Sequence, residues 1–135
     1  SFYAVGYAKK SNKANSITYA EQDARDQIAR WVNVSVKNAL TNYSSEGGEG
    51  KNIQVLEYSE NISKQVADQS LSGVERDEVW VDKEGGVYVL SSFPKANVGK
   101  SFDQVAQSFV RNEATAFANF KSEQALAFLE KETSK

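Results

Sequence analysis

The sequence predicts an α+β fold in which a small antiparallel sheet packs against a long helix. Three observations support this prediction. Apolar residues recur at three- and four-residue spacing over 16–44 and again over 101–131, whereas those of 71–93 follow the two-residue period of strands. The 135 residues carry a net charge of −2 and 40% hydrophobic side chains, which is typical of one globular domain, 1–135, with its core in 2–93.

The first elements are a short strand and a long helix. Residues 2–8 are aromatic or small and predict a strand, in which Gly6 indicates the close approach of another backbone. The helix covers 16–44, and Ala20 and Ala24 in its first half leave room for a flat sheet. We therefore expect the strand and the helix to meet at these small residues.

The rest of the chain predicts a second helix, a hairpin and a third helix. Helical spacing places a middle helix at about 53–68. The hairpin covers 71–93, and Pro94 ends it because proline donates no backbone hydrogen bond. A long amphipathic helix follows at 101–131. The small sheet thus consists of the N-terminal strand and this hairpin.

Both faces of the predicted hairpin are apolar. With a turn centred on Glu84 and Gly85, Trp80 faces Val89 and the two share one side of the sheet. The other side carries the remaining large apolar residues of the hairpin: Val79, Val81, Tyr88 and Leu90. One side is expected to lie against the 16–44 helix. The other side needs a second cover, and the alternatives are the C-terminal helix and another subunit.

The composition excludes most catalytic and metal-binding sites. Histidine and cysteine are absent, which removes imidazole bases, thiolate nucleophiles and the metal sites that they form. Glu75, Asp77 and Glu78 are the remaining candidates for a hydrolase or a calcium site, but their spacing suits neither, and we interpret them as a solvated strand. We predict no catalytic residue, no cofactor and no metal. Acidic and basic residues are interspersed, which disfavours nucleic-acid binding.

Two further motifs have a structural interpretation. The segment from Gly47 to Lys51, which contains three glycines, superficially resembles a phosphate-binding loop. However, no serine or threonine follows the lysine, and a predicted helix precedes the glycines. We interpret this segment as a linker. Lys9, Lys10 and Lys13 form a local basic cluster, which suits a solubilising loop better than a contact with lipid headgroups.

The order of these elements resembles a known family. The first strand ends in GYA (6–8), the long helix carries spaced alanines, and the hairpin closes on GVYVL (86–90). Over 2–93 this arrangement resembles the Lpp-twenty family, the twenty-kilodalton bacterial envelope lipoproteins. That family is related to flagellar outer-membrane lipoprotein P and to a domain of flagellar assembly protein T.

The resemblance implies a location in the bacterial envelope and offers no catalytic residue to assign to this chain. It implies a helix packed across a small antiparallel sheet, in a protein secreted to the bacterial envelope and tethered to the outer membrane by an acylated cysteine near its mature N-terminus. The family has no established enzymatic activity. Because the sequence starts at Ser1 and contains no cysteine, we expect the signal sequence and the anchor to precede it.

We therefore expect a non-enzymatic envelope lipoprotein module that acts through protein–protein contacts or self-assembly as a homo-oligomer, with a flagellar association suggested by the resemblance. The contact candidates are apolar residues of the hairpin and of the C-terminal helix: Trp80, Val89, Phe117, Phe120 and Phe128. The alternative is a carrier or sensor of a small apolar ligand, bound in a cavity between the sheet and the C-terminal helix.

Overall fold

A computed structural model describes residues 1–46, 53–118 and 120–134. The fold is α+β, as the sequence predicts. The elements follow the chain in this order: β1 (Phe2–Ala8), α1 (Lys13–Glu46), α2 (Ile53–Leu56), α3 (Ser59–Ser70), a 3-10 turn (Leu71–Gly73), β2 (Glu75–Val81), β3 (Val87–Phe93), α4 (Ala96–Asn112) and α5 (Ser122–Thr133). The glycine-rich segment interpreted as a linker lies outside the described residues.

The three strands form one antiparallel sheet in the order β1-β3-β2. Side chains of paired residues point to the same side, so the pairing of Gly6 with Val89 and of Ala8 with Val87 defines an inner face. The inner-face residues of β1 and β3 are buried, except for the partly buried Phe2 at the start of β1. The helix that covers them is α1, which contacts both strands.

The contact between β1 and α1 is a backbone contact. A Cβ atom added to Gly6 would lie 1.8 Å from the carbonyl oxygen of Ala20 and 2.6 Å from the backbone nitrogen of Ala24. Ala20 and Ala24 are themselves fully buried. The predicted close approach at the three small residues is confirmed, and it fixes the position of α1 on the sheet.

The second half of α1 supports the C-terminal helices. At about 1.5 Å per residue its 34 residues extend about 50 Å, well beyond the sheet. α5 packs against α1, and α4 packs against α3 and α5. The hydroxyl oxygen of Tyr43, near the end of α1, accepts a hydrogen bond from the Lys121 N–H at 2.9 Å, just before α5 begins. The core thus continues from the sheet along α1 to α5.

The prediction of one C-terminal helix at 101–131 is wrong. The structure has two helices there, and the first begins at Ala96, directly after the sheet. The chain leaves the helix at Glu113, whose φ and ψ of −125° and 52° are not helical. This break lets Phe117 and Phe120 turn inwards onto Tyr43 and Tyr58. No proline or glycine lies between α4 and α5 to signal the break.

The boundaries of the other elements differ less from their predictions. α1 begins at Lys13 and ends at Glu46, close to the predicted 16–44. The predicted middle helix at about 53–68 is divided into α2 and α3. The predicted hairpin at 71–93 starts with a 3-10 turn, and its first strand begins at Glu75.

Gly6→Ala should destabilise the protein by about 3 kcal/mol or more, because the new methyl group would displace the backbone of α1 from the sheet. Urea unfolding followed by circular dichroism measures this change. Gly99→Ala, in α4, is the matched control: its Cβ would lie 3.4 Å from a terminal methyl group of Leu126. There we expect no loss, or a gain of up to about 1 kcal/mol from helix propensity. Equal losses for both variants would contradict the close-packing argument.

Candidate interaction surface

The turn between β2 and β3 sets which side chains share a face. The Asp82 N–H donates to the Gly86 carbonyl oxygen at 2.9 Å, so three residues, 83–85, form the loop. Gly85 adopts a φ of 88°, the left-handed conformation that such loops require. The Asp82 carboxylate accepts hydrogen bonds from the N–H groups of Glu84 and Gly86 at 2.9 and 2.8 Å.

This loop shifts the strand pairing by one residue from the predicted register. Trp80 pairs with Tyr88, and Val89 pairs with Val79. The prediction that Trp80 and Val89 share a face is therefore wrong. Its cause is the assumed two-residue turn at Glu84 and Gly85, because one additional loop residue moves every following side chain to the opposite face.

The side of the sheet opposite α1 is apolar and exposed. We call it the outer sheet face, and its apolar part consists of six side chains: Tyr3, Val5, Tyr7, Trp80, Tyr88 and Leu90. Four of them keep a large part of their surface in water: Tyr3 (60%), Val5 (43%), Tyr7 (44%) and Trp80 (42%). Of the two covers that the sequence leaves open, the C-terminal helix does not take this place, because α5 packs on α1 instead. Another subunit stays a prediction.

Three aromatic rings form a row across the outer sheet face, one from each strand. The rings of Trp80 and Tyr88 are nearly parallel, at 9°, with their centroids 5.7 Å apart. The rings of Tyr7 and Tyr88 lie 4.7 Å apart and are tilted by 55°. Because each ring restricts its neighbour, the row presents a preorganised aromatic surface with little side-chain entropy left to lose on binding.

The two edges of the sheet differ in how their backbone groups are satisfied. At the β1 edge, side chains of α1 satisfy the strand: Asp23 accepts a hydrogen bond from the Tyr7 N–H at 3.0 Å, and Gln27 donates to the Val5 carbonyl oxygen at 2.8 Å. At the other edge every residue of β2 is exposed. α1 protects one edge and leaves the other open to solvent.

The acidic residues surround the aromatic row. Glu75 and Glu78 lie on the outer sheet face, because they pair with Ser92 and Leu90. Partial desolvation raises the pKa of the Tyr7 hydroxyl above its usual 10.0, and the negative charge of Asp82 raises this pKa further. A partner of this face would therefore meet aromatic rings bordered by carboxylates.

The five predicted contact residues do not lie together. Trp80 is exposed on the outer sheet face, whereas Val89 is completely buried under α1 and Phe117 is buried in the C-terminal core. Phe120 and Phe128 are partly buried and pack edge-on against Tyr43, at centroid distances of 5.4 and 6.3 Å. Of the five, Trp80 is the one that the structure brings to this surface.

Sequence reasoning missed the contribution of β1 to the surface. Tyr3, Val5 and Tyr7 alternate with Ala4, Gly6 and Ala8 in the first strand. A strand with small residues on one side and large ones on the other buries the small side against a closely packed helix. The large residues must then face away from that helix, so the alternation itself was the missed signal.

A second concave feature lies between α4 and α5. This groove has a volume of about 600 Å³, and its apolar lining comes from Ala96, Gly99, Leu126 and Leu129. Lys95 and other charged residues also line it. This groove lies between two helices, whereas the predicted cavity lies between the sheet and the C-terminal helix.

The described residues contain no metal-binding cluster of acidic side chains. Glu75, Asp77 and Glu78 lie on an exposed strand, and their register shifts at a bulge between Arg76 and Glu78. Within the same described part of the chain, no helix combines the length and the hydropathy needed to cross a membrane.

The outer sheet face lies within a segment of the chain that matches a known protein family. The profile described as LPP20 lipoprotein matches residues 1–92. The chain belongs to the LPP20 lipoprotein family. The matched segment contains β1, α1 and β2 and nearly all of β3, so it includes the complete outer sheet face. No curated protein matches the chain.

Membership in the LPP20 lipoprotein family indicates an envelope lipoprotein, and this is not a known enzyme family. The match ends at residue 92, one residue before the end of β3. α4, α5 and the groove between them therefore lie outside the matched segment. The outer sheet face is the candidate site that belongs to the family domain, and the groove is the candidate that belongs to the C-terminal helices.

Asp82→Asn should lower the pKa of Tyr7, because it removes the negative charge that disfavours the phenolate. The asparagine oxygen can still accept the two backbone hydrogen bonds of the turn, so the fold should persist. An NMR pH titration with ¹³C-labelled tyrosine measures the pKa. Asp103→Asn, an exposed acid on α4, is the control and should leave Tyr7 unchanged. The same Tyr7 pKa in both variants would contradict this electrostatic assignment.

Proposed function

We propose that this LPP20-family chain is a non-enzymatic module of the bacterial envelope that acts through protein–protein contacts made by its outer sheet face, with a partner protein or with further copies. The observation that carries the proposal is the row of Tyr7, Tyr88 and Trp80 on a sheet side that no described helix covers. Aromatic residues exposed together are typical of binding surfaces.

The size of the face supports a partner that brings matching apolar surface. The exposed parts of Tyr3, Val5, Tyr7 and Trp80 amount to roughly 400 Å². Burying that area contributes about 10 kcal/mol at 25 cal/mol per Å², which is similar to the cost of association of about 4–15 kcal/mol. A stable complex therefore requires a comparable apolar area from the partner.

The chemistry of the chain supports a role without catalysis. It contains no histidine and no cysteine. The acidic residues of β2, which include Glu75 and Glu78, are exposed on a strand rather than enclosed in a cleft. A glycosidase or a hydrolase needs paired carboxylates on either side of a bound substrate, with one of them held protonated by its surroundings.

We place the chain at the outer membrane through an acylated cysteine before Ser1, as the family resemblance predicts. Lys9 and Lys10 are exposed in the connection between β1 and α1, which supports a solubilising loop. Association with the flagellum stays a prediction from the resemblance.

The groove between α4 and α5 supports a second candidate function, the binding of a small apolar ligand. Its volume of about 600 Å³ falls within the range of ligand sites, about 300–1,000 Å³. Leu126 and Leu129 supply apolar surface. The charges of the lining balance, because Lys95 and Lys100 are accompanied by Asp103 and Glu130. A small apolar molecule without net charge matches this lining.

A photo-crosslinking amino acid in place of Val5 should form discrete crosslinked species in the bacterial envelope, because Val5 is exposed on the outer sheet face between Tyr3 and Tyr7. Immunoblotting of the full-length lipoprotein measures them. The same label in place of Val34, an exposed valine on α1, is the control and should give none. Tyr3→Ser combined with Tyr7→Ser should abolish the Val5 species, whereas Tyr19→Ser, an exposed tyrosine on α1, should not. Equal crosslinking from both positions would refute the proposed face.

Ala96→Trp should lower the affinity of an apolar fluorescent probe such as N-phenylnaphthylamine by at least about tenfold, because the indole would fill the groove between α4 and α5. Fluorescence titration measures the affinity. Ala127→Trp places the same side chain at an exposed position of α5 that does not line the groove. If both variants bound the probe as tightly as the unmodified chain, the groove would not be its binding site.

A further inference from the structure

We infer that two copies of this chain associate through the open edge of β2, forming a continuous six-stranded antiparallel sheet in which Trp80 of one copy lies opposite Trp80 of the other. This interface uses the backbone edge of β2 and shares one residue, Trp80, with the outer sheet face. It goes beyond the proposed function and does not depend on it.

The backbone geometry of β2 makes this edge competent for pairing. Residues of an antiparallel strand point their backbone groups alternately to either side. The backbone N–H of Asp82 donates to the Gly86 carbonyl oxygen, directly before β3. By the same alternation, the backbone groups of Trp80 point towards β3, whereas the N–H and carbonyl groups of Val79 and Val81 point outwards. Val79 and Val81 are both exposed. The open edge therefore offers unpaired donors and acceptors beside apolar side chains.

The usual protections of an edge strand cover only the first half of β2. Charged residues occupy Glu75 to Glu78, a bulge lies between Arg76 and Glu78, and Arg76 pairs with Glu21 of α1 at 3.4 Å. Charges and bulges of this kind prevent strands from pairing at sheet edges. The second half, Val79 to Val81, has neither feature. It is a short, uncharged pairing site with a defined start.

The sequence of that site matches itself. The triplet from Val79 to Val81 reads the same in both directions. In an antiparallel pair of identical strands related by a two-fold axis, residues at equal distances on either side of the axis lie opposite each other. With the axis at Trp80, Val79 faces Val81 of the second copy and the two tryptophans meet. All three uncharged residues then face uncharged residues, and the aromatic rows of both copies join.

One charged pair lies beside the triplet in this register. Glu78 lies opposite Asp82 of the second copy, and this pairing is repulsive. Asp77 is the extra residue of the bulge, and Lys83 and Glu84 belong to the loop, so the paired register does not extend to their charges. The arrangement therefore depends on the uncharged triplet, and the repulsive pair supplies a specific test.

The same geometry limits the assembly to two copies. Each chain has one open edge, since Asp23 and Gln27 of α1 satisfy backbone groups at the β1 edge. A two-fold interface that uses one edge per copy closes on itself. The paired segment is short, so we expect a weak dimer at the small end of specific interfaces.

Disulfide trapping tests the register directly, because the chain has no cysteine of its own. A mixture of Val79→Cys and Val81→Cys chains, with different mass tags and oxidised glutathione as the oxidant, should yield mainly the mixed disulfide dimer. The opposed Cα atoms would lie about 5.5 Å apart, which suits a disulfide. Tagged Val34→Cys chains, with the thiol at an exposed valine of α1, measure random collision.

The proposal would be overturned if the mixed disulfide dimer were no more abundant than the Val34→Cys dimer. It would also be overturned if most dimers joined two Val79→Cys chains, because that product indicates another register. Sedimentation of the unmodified chain supplies the second measurement. Glu78→Gln should tighten the dimer about two- to tenfold by removing the repulsive pairs, whereas Glu123→Gln on α5 should not. If the unmodified chain and the Glu78→Gln variant both stayed monomeric at hundreds of micromolar, this result would also overturn the proposal.

The two proposals fail separately. Tyr3→Ser combined with Tyr7→Ser changes the outer sheet face and leaves the edge residues unchanged, so mixed disulfides should persist while the Val5 crosslinks disappear. Mixed disulfides without Val5 crosslinks would support the dimer and refute the proposed function. Val5 crosslinks to a different protein without mixed disulfides would do the reverse.

Discussion

The fold depends on the backbone contact between β1 and α1. Gly6 has no side chain, and the carbonyl oxygen of Ala20 occupies the space in which a Cβ atom would lie. Packing at this distance excludes larger residues beside Gly6 on the inner side of β1, where Ala4 and Ala8 flank it. Phe2, at the start of the strand, stacks on Trp31 instead. From Tyr3 onwards the large side chains of the strand therefore lie on the opposite side.

This constraint explains why the sheet has an uncovered side. α1 is one long helix whose first half occupies the inner sheet face and whose second half extends past it. α5 packs on that second half, where Tyr43 contacts Phe120 and the Lys121 backbone, and α4 packs on α3 and α5. The length of α1 thus holds α5 away from the sheet. The outer sheet face is thus a consequence of helix length as much as of strand sequence.

Periodicity predicted the elements of the sheet and its helix, but local turn chemistry decided the site. The spacing of Ala20 and Ala24 and the glycine at position 6 were sufficient to predict how α1 meets β1. The facing of Trp80 depended on whether the hairpin loop has two or three residues, and the Asp82 carboxylate settles this by accepting two backbone hydrogen bonds. The break after α4 was not predictable, because aromatic packing on Tyr43 and Tyr58 causes it.

The arrangement of charges favours joining two sheets at their edges over stacking them face to face. Glu75 and Glu78 lie on the outer sheet face, so stacking two such faces would bring four carboxylates into an apolar interface, where each charge loses its hydration. Edge pairing leaves these carboxylates in water. It also places both outer sheet faces on the same side, which doubles the aromatic surface offered to another protein. Two linked faces bind a repetitive or dimeric partner more tightly than one face does, since the second contact becomes intramolecular. The open edge and the open face are therefore complementary: the edge brings copies together, and the face remains free to bind.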